Sequence, residues 1–127
     1  MSHEAIIPKG SAPPLAPYSP GVKVGNTVYV SGACSLDEAG DTVGVDDIKA
    51  QTRQVLEIIK SVIEEAGGQM SDIAFNQIFL SDYSNYNEMN EVYAEYFPTN
   101  PPARYCIKAD LVRPQFLVEI SSTAHID

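Results

Sequence analysis

Apolar residues at helical spacing mark the longest element of this chain. From about residue 47 to residue 66, apolar and small side chains recur every three or four positions: Ile48, Thr52, Val55, Leu56, Ile59, Val62, Ile63 and Ala66. This spacing places them on one face of a helix. Asp46 and Asp47 supply an N-cap, and Gly67-Gly68 ends the element. The pattern predicts an amphipathic helix with a structural role.

A second helical pattern covers about residues 85 to 97 and stops at Pro98. Its stripe consists of Tyr86, Met89, Asn90, Tyr93 and Phe97. Asn90 is an amide on an otherwise apolar face, and a buried amide needs a hydrogen-bond partner. Two interpretations stay open for Asn90: it satisfies a nearby backbone group, or it points into a binding site.

Short β-rich runs surround the two helical patterns. They predict strands at residues 22–24, 27–31, 73–80, 102–107 and 117–125, with a further N-terminal strand at residues 6–7 left open. Gly25-Asn26 is typical of a hairpin turn between the first two. The order β-β-α-β-α-β-β predicts an α+β fold, a two-layer sandwich of a mixed sheet and two helices.

The segment from residue 10 to residue 20 contains four prolines, so it is predicted to be an ordered loop rather than a strand or helix. Tyr18 lies inside it and is either a structural plug or the wall of a pocket. Gly32, at the end of the predicted strand 27–31, lets the backbone approach a ligand or simply bend.

The predicted strand 102–107 carries the most informative side chains. Alternation along a strand places Arg104 and Cys106 on one face, opposite an apolar face. A guanidinium on a rigid strand suits a carboxylate, because its paired donors match two oxygens. Glu119 lies on the more polar face of the last strand. The alternative is an exposed salt bridge between Arg104 and Glu119 with no function.

Composition narrows the functional classes. The 127 residues fit a single domain, 1–127, and the hydrophobic fraction of 44% indicates a globular chain. The net charge of −9 argues against nucleic acid and against anionic membranes as partners. We find no signal peptide and no apolar run near the roughly 18 residues of a membrane span, so we expect a cytoplasmic protein.

The cysteines and histidines of the sequence do not indicate a metal site or a disulfide. Cys34 and Cys106 are interpreted as free thiols, because disulfides are rare in the cytosol. No spacing of cysteines and histidines resembles a zinc site, and His3 and His125 lie near opposite ends of the chain. We therefore expect no metal cofactor.

Several segments together carry a family resemblance. They are Asn26-Thr27-Val28-Tyr29-Val30-Ser31-Gly32, Gln51-Thr52-Arg53-Gln54-Val55-Leu56, Pro102-Ala103-Arg104-Tyr105-Cys106 and Val118-Glu119-Ile120. In one register, from about residue 6 to residue 126, the chain resembles the RidA/YjgF family of imine and enamine deaminases. The resemblance implies a chorismate-mutase-like fold, a homotrimer, and active sites in the clefts between subunits.

The resemblance also implies roles for individual residues. Arg104 matches the arginine that binds the substrate carboxylate, and Cys106 matches the adjacent cysteine, whose backbone amide faces the ligand. Glu119 matches the glutamate that positions or polarises water. Four further residues match substrate-binding positions: Tyr18, Ser31, Gly32 and Asn90.

Other segments are most similar to the family members that deaminate 3-aminoacrylate in pyrimidine (uracil) catabolism. These segments include Ala50-Gln51-Thr52-Arg53, Asn90-Glu91-Val92-Tyr93-Ala94-Glu95 and Ala124-His125-Ile126. The resemblance implies hydrolysis of 3-aminoacrylate to malonic semialdehyde and ammonia without a metal or organic cofactor.

Three alternatives remain open. The first is a general deaminase of 2-aminoacrylate and other 2-imino acids, which uses the same chemistry. The second is an aminoacrylate peracid reductase with Cys106 as redox centre, which needs a thiol of lowered pKa. The third is a non-catalytic module that binds carboxylate metabolites. Some relatives have been described as ribonucleases, and the charge of −9 argues against that activity here.

Overall fold

The computed structural model describes residues 2–127, and only Met1 lies outside this part. The elements are β1 (Glu4–Ile6), β2 (Gly21–Val24), β3 (Thr27–Ala33), α1 (Ile48–Glu65), β4 (Ile73–Leu80), α2 (Tyr86–Tyr96), β5 (Ala103–Lys108) and β6 (Val118–His125). Short 3-10 turns at Met70–Asp72 and Tyr83–Asn85 precede β4 and α2. The predicted order is confirmed, and the additional N-terminal strand is present at Glu4–Ile6.

The six strands form one sheet in the order β1-β2-β3-β6-β4-β5. β4 and β5 run parallel, and every other pair is antiparallel, so the sheet is mixed as predicted. A two-residue turn with Gly25 at φ 58° joins β2 to β3. The last strand, β6, lies in the middle of the sheet between β3 and β4, and β5 is an edge strand.

Helix α1 forms where its sequence predicts it. The carboxylate of Asp47 accepts a hydrogen bond from the backbone N–H of Ala50 (3.0 Å) and caps the first turn. Asp46 does not cap the helix, because it takes a left-handed conformation (φ 62°) in the turn that precedes it. Gly67 (φ 96°) follows the last turn. All eight predicted stripe residues are buried, seven of them in α1 and the eighth, Ala66, directly after it.

Both helices cover the same face of the sheet, where the core lies. Leu56, Ile59 and Ile63 of α1 meet Ile78 of β4 and Ile120 of β6, all without exposed surface. Helix α2 packs against α1 and adds the buried side chains of Met89, Val92 and Tyr93, and Phe97, which follows the helix, is also buried. Tyr86 was predicted on this buried stripe, but it is 39% exposed, because it lies at the first residue of α2.

The other face of the sheet carries an uncovered aromatic and aliphatic surface. Tyr105 contacts Phe75 and Phe79 edge to face, with ring centroids 5.7 and 6.4 Å apart. Tyr29 and Ile107 extend this surface on β3 and β5. We call these five side chains the open face. In the chain from residue 2 to residue 127, neither helix combines the length and apolar character required to cross a membrane.

Candidate functional site

Four of the predicted site residues line one cleft of about 520 Å³. The proline-rich loop contributes Tyr18, β3 contributes Ser31 and Gly32, and β6 contributes Glu119. Tyr18 is 44% exposed, so it forms a wall of this cleft and is not a buried plug. We call this the Glu119 cleft; its remaining lining residues are Leu15, Ala16, Cys34, Val112 and Arg113.

The proline-rich loop is tied directly to β3. Ser31 donates from Oγ to the carbonyl oxygen of Ser19 (2.6 Å), and its backbone N–H donates to the carbonyl oxygen of Pro20 (3.0 Å). These bonds coincide with a register shift between Val30 and Ala33 in the pairing of β3 with β6. Ser31 therefore anchors the loop that carries Tyr18, and its role in substrate binding stays a prediction.

Gly32 makes room for the carboxylate of Glu119. A Cβ atom at position 32 would collide with Oε2 of Glu119, so no other residue fits beside this side chain without moving it. The thiol of Cys34 donates a hydrogen bond to Oε1 of the same carboxylate (3.3 Å). Glu119 thus lies against the backbone of Gly32 and accepts a hydrogen bond from a buried thiol.

Cys34 is a hydrogen-bond donor and not a nucleophile. Burial is the main cause that raises its pKa to about 12, and the negative charge of Glu119 adds to this effect. At neutral pH the side chain is therefore the protonated thiol, which can donate to a carboxylate. The nearby charge of Arg113 opposes the shift without reversing it.

The other predicted residues form a second cluster between β5 and α2. Nη2 of Arg104 donates to Oδ1 of Asn90 (2.8 Å) and to the hydroxyl oxygen of Tyr86 (3.2 Å). Its guanidinium carbon lies 4.8 Å from the ring centroid of Tyr93, within the range of a cation–π contact. Asn90 therefore points towards Arg104, and the interpretation that its side chain satisfies a backbone group is wrong.

A buried chain of hydrogen bonds supports the ring beneath Arg104. The hydroxyl of Tyr93 accepts from Nδ2 of Asn76 (2.9 Å), and Oδ1 of Asn76 accepts from the hydroxyl of Ser122. Burial raises the pKa of Tyr93, so the hydroxyl stays neutral. Because Asn76 and Ser122 lie on the central strands β4 and β6, the position of the ring is fixed by the core of the sheet.

Cys106 lies on the same face of β5 as Arg104 and is half-buried. Burial raises the pKa of its thiol, and the charge of Arg104 only opposes this effect. A redox-active thiol needs the opposite shift, because the thiolate is the reactive form. The side chain of Cys106 packs against the hydrophobic core.

The two clusters do not meet within one chain. β4 separates β5 from β6, and Arg104 lies on the helix-covered face, whereas Glu119 lies beside Phe79 on the uncovered face. For the same reason the alternative of an exposed salt bridge between Arg104 and Glu119 is excluded.

Among the remaining lining residues of the Glu119 cleft, sequence reasoning missed two that carry chemistry, Cys34 and Arg113. Cys34 follows Gly32 by two positions, and in a regular strand this spacing places two residues on the same face. The register shift in β3 breaks that regularity, so the spacing did not identify Cys34 as a site residue. Arg113 lies in a loop, where no periodic pattern predicts the direction of a side chain. The one indication was that the chain is acidic and contains few positively charged residues. Within residues 2–127, no group of three or more His, Cys, Asp or Glu side chains is arranged to hold a metal ion.

Known proteins similar to this chain cover it almost completely. Residues 9–126 match the family described as Endoribonuclease L-PSP. The chain is 54% identical to the 3-aminoacrylate deaminase RutC of Acinetobacter baylyi, over 99% of this chain and 100% of that protein.

Solved structures show the same fold. RidA from an Antarctic Psychrobacter is 33% identical with a TM-score of 0.90, over 97% of this chain and 99% of that one. TdcF of E. coli with bound serine is 26% identical with a TM-score of 0.89, over 98% and 99%. The chain therefore belongs to the Endoribonuclease L-PSP family, which is the RidA/YjgF family that its motifs resemble.

Proposed function

We propose that this chain is an enamine and imine deaminase that hydrolyses 3-aminoacrylate to malonic semialdehyde and ammonia in pyrimidine catabolism. The observation that carries this proposal is the 54% identity over 99% of the chain to the 3-aminoacrylate deaminase RutC. The Glu119 cleft supports it, because this cleft places a carboxylate beside a tyrosine and the backbone of Gly32.

The working enzyme is a homotrimer with its sites between subunits. Each protomer carries both clusters, but on opposite faces of its sheet. A closed ring of identical subunits can bring the Arg104 cluster of one protomer to the Glu119 cleft of the next. The open face borders Glu119 through Phe79, and its aromatic surface suits a contact between subunits.

Arg104 binds the substrate carboxylate. A bidentate carboxylate uses Nη2 together with Nη1 or Nε, and both hydrogens of Nη2 are donated to Asn90 and Tyr86 in this structure. The bond to Tyr86 is the longer one and lies on an exposed side chain, so the substrate displaces the Tyr86 hydroxyl from Nη2. Asn90 and the Tyr93 ring then keep the guanidinium in place.

Glu119 handles the protons of hydrolysis. The enamine tautomerises to an imine, water adds to the C=N carbon, and the carbinolamine loses ammonia. Because Cys34 holds Oε1, the other oxygen of Glu119 is available to take a proton from the attacking water and to return it to the leaving amine. An iminium carbon is already electrophilic, so the reaction needs no metal or organic cofactor.

The rival activities have weaker support. The peracid reductase requires a reactive Cys106, and burial raises the pKa of that thiol. A ribonuclease, the activity in the family's description, requires a basic surface for phosphates, and the chain carries a net charge of −9. A deaminase of 2-aminoacrylate uses the same groups, so only a direct comparison of the two substrates separates it.

A turnover assay tests the proposal. Each enamine, 3-aminoacrylate or 2-aminoacrylate, is generated in situ, and ammonia and the carbonyl product are followed above the spontaneous rate. We expect acceleration with a preference for the 3-isomer, and its loss in Arg104→Ala and Glu119→Gln. Tyr83→Phe removes an exposed hydroxyl outside both clusters and serves as the matched control. Full activity of Arg104→Ala would exclude the carboxylate role of Arg104.

A further inference from the structure

The Glu119 cleft contains a cation that the reaction described above does not use. Arg113, in the loop between β5 and β6, lines this cleft together with Tyr18, Gly32 and Glu119. Arg104 is absent from the cleft of its own protomer. The positive charge beside Glu119 within one chain therefore comes from Arg113.

Arg113 is held in position but is not neutralised. Its Nη1 donates to the carbonyl oxygen of Gly40 (2.9 Å), and its guanidinium carbon lies 5.5 Å from the ring centroid of the fully buried Phe116. The two ion pairs found among residues 2–127 involve Lys49 and Arg53, and neither includes Arg113. The half-buried guanidinium thus has no carboxylate partner in this part of the chain, and a guanidinium offers more N–H donors than the single bond to Gly40 uses.

The field of Arg113 reaches the groups around Glu119. Its charge opposes the rise in the pKa of Cys34, which burial causes, and Cys34 is the thiol bonded to Glu119. An anionic substrate that enters this cleft meets the like charge of Glu119 and a protein with a net charge of −9. A fixed cation in the cleft offsets that repulsion, because charge interactions are strong where little water separates them.

We propose that Arg113 is a second anion-binding residue of the active site, which attracts the substrate carboxylate into the Glu119 cleft and holds it there beside Glu119. This proposal deepens the proposed function and rests on it, since it concerns an anionic substrate at the same site. Arg104 fixes the orientation of the carboxylate, and Arg113 makes the cleft favourable for a negative charge. The substrate class is therefore a small carboxylate rather than its neutral amide.

Binding of two unreactive probes tests the role of Arg113 without turnover. Propionate has the three-carbon carboxylate skeleton, and propionamide has nearly the same shape without the charge. In Arg113→Gln we expect propionate affinity to fall roughly tenfold and propionamide affinity to change less than about twofold, with the difference shrinking at high salt. Arg113→Lys keeps the charge and should recover most of the propionate affinity.

Arg53→Gln is the matched control, because it makes the same change in net charge at an exposed ion pair with Glu95, outside the cleft. Equal propionate affinity in the wild type and Arg113→Gln would overturn the proposal. A loss of propionamide affinity as large as the loss of propionate affinity would also overturn it, because this would indicate that the loop has collapsed. The turnover assay distinguishes the two claims. Wild-type protein that binds propionate through Arg113 but does not accelerate enamine hydrolysis would contradict the proposed function alone.

Discussion

Arg104 and Glu119 lie on opposite faces of one sheet. Arg104 pairs with Asn76 on the face covered by the helices, whereas Glu119 pairs with Phe79 on the uncovered face. A substrate that needs both side chains must therefore bind between two protomers. The location of the active site can therefore be tested by assembling subunits that carry different substitutions.

Mixing two inactive variants should restore activity. In the proposed homotrimer, each variant, Arg104→Ala or Glu119→Gln, lacks one group at every site. When equal amounts of the two subunits are co-assembled at random, one interface in four receives both intact groups, so we expect up to about a quarter of wild-type activity. The measurement is kcat of the co-refolded mixture against each variant refolded alone.

A pair of variants from the same cluster provides the control for this mixing experiment. Arg104→Ala and Asn90→Ala remove neighbouring groups of one protomer, so no interface of their mixture contains both intact groups, and it should stay inactive. An inactive mixture of Arg104→Ala with Glu119→Gln would contradict a site shared between subunits.

Gly32→Ala should reduce activity without unfolding the protein. The added Cβ would meet the end of the Glu119 side chain, which can move aside at little cost, so the fold survives while the carboxylate is displaced. We expect kcat to fall by roughly tenfold or more, as for the loss of a positioned general base. Steady-state kinetics and a thermal unfolding curve measure the two effects.

Gly25→Ala is the comparison for this substitution. Gly25 has a left-handed φ of 58°, and no atom lies within 4 Å of an added Cβ. This variant should lose about 1 kcal/mol of unfolding free energy through backbone strain and keep its kcat. A Gly32→Ala enzyme that keeps full activity would show that the position of the Glu119 carboxylate does not matter for turnover.

We expect Cys34 to support turnover through its hydrogen bond to Glu119 and not through the reactivity of its sulfur atom. Cys34→Ser keeps a hydrogen-bond donor to Glu119, whereas Cys34→Val fills the space without one. We expect kcat of Cys34→Val to fall several-fold at nearly constant KM and Cys34→Ser to retain most of it. Equal kcat in the two variants, at equal stability, would assign Cys34 to packing against Leu36 and Phe116 alone.

Cys34 should also make the protein less stable in alkali. Its pKa rises from 9.0 in the unfolded chain to about 12 in the fold, chiefly through burial. Between these values the unfolded state releases the proton and the folded state keeps it, so the free energy of unfolding falls as pH rises. This group contributes a slope of up to about 1.4 kcal/mol per pH unit.

The alkaline slope is measured by urea unfolding at several pH values between 8 and 11. Burial and Glu57 also raise the pKa of Tyr96 to about 12, so that tyrosine adds a slope of the same sign above pH 10. The contribution of Cys34 is therefore the difference between the wild type and Cys34→Val. Parallel stability curves for these two proteins would contradict the shifted pKa of Cys34.

Local sequence patterns predicted the elements of this fold, and long-range packing decided the site. The stripe of α1 and its Asp47 cap depend on residues a few positions apart, so the sequence predicts them directly. Alternation in β5 separates Arg104 and Cys106 from Tyr105, but it does not reveal which face the helices cover. That choice depends on β6 inserting between β3 and β4, which no local pattern encodes.

The tyrosines of the open face also provide an intrinsic fluorescence signal. The chain contains seven tyrosines and no tryptophan, so its near-ultraviolet fluorescence is tyrosine emission. Tyr29 and Tyr105 are 49% and 43% exposed on the face that would meet a neighbouring subunit. Burying them on assembly would shield them from a dissolved quencher such as iodide. Dilution series could then follow the oligomeric state of the unmodified protein, without a dye or an introduced residue.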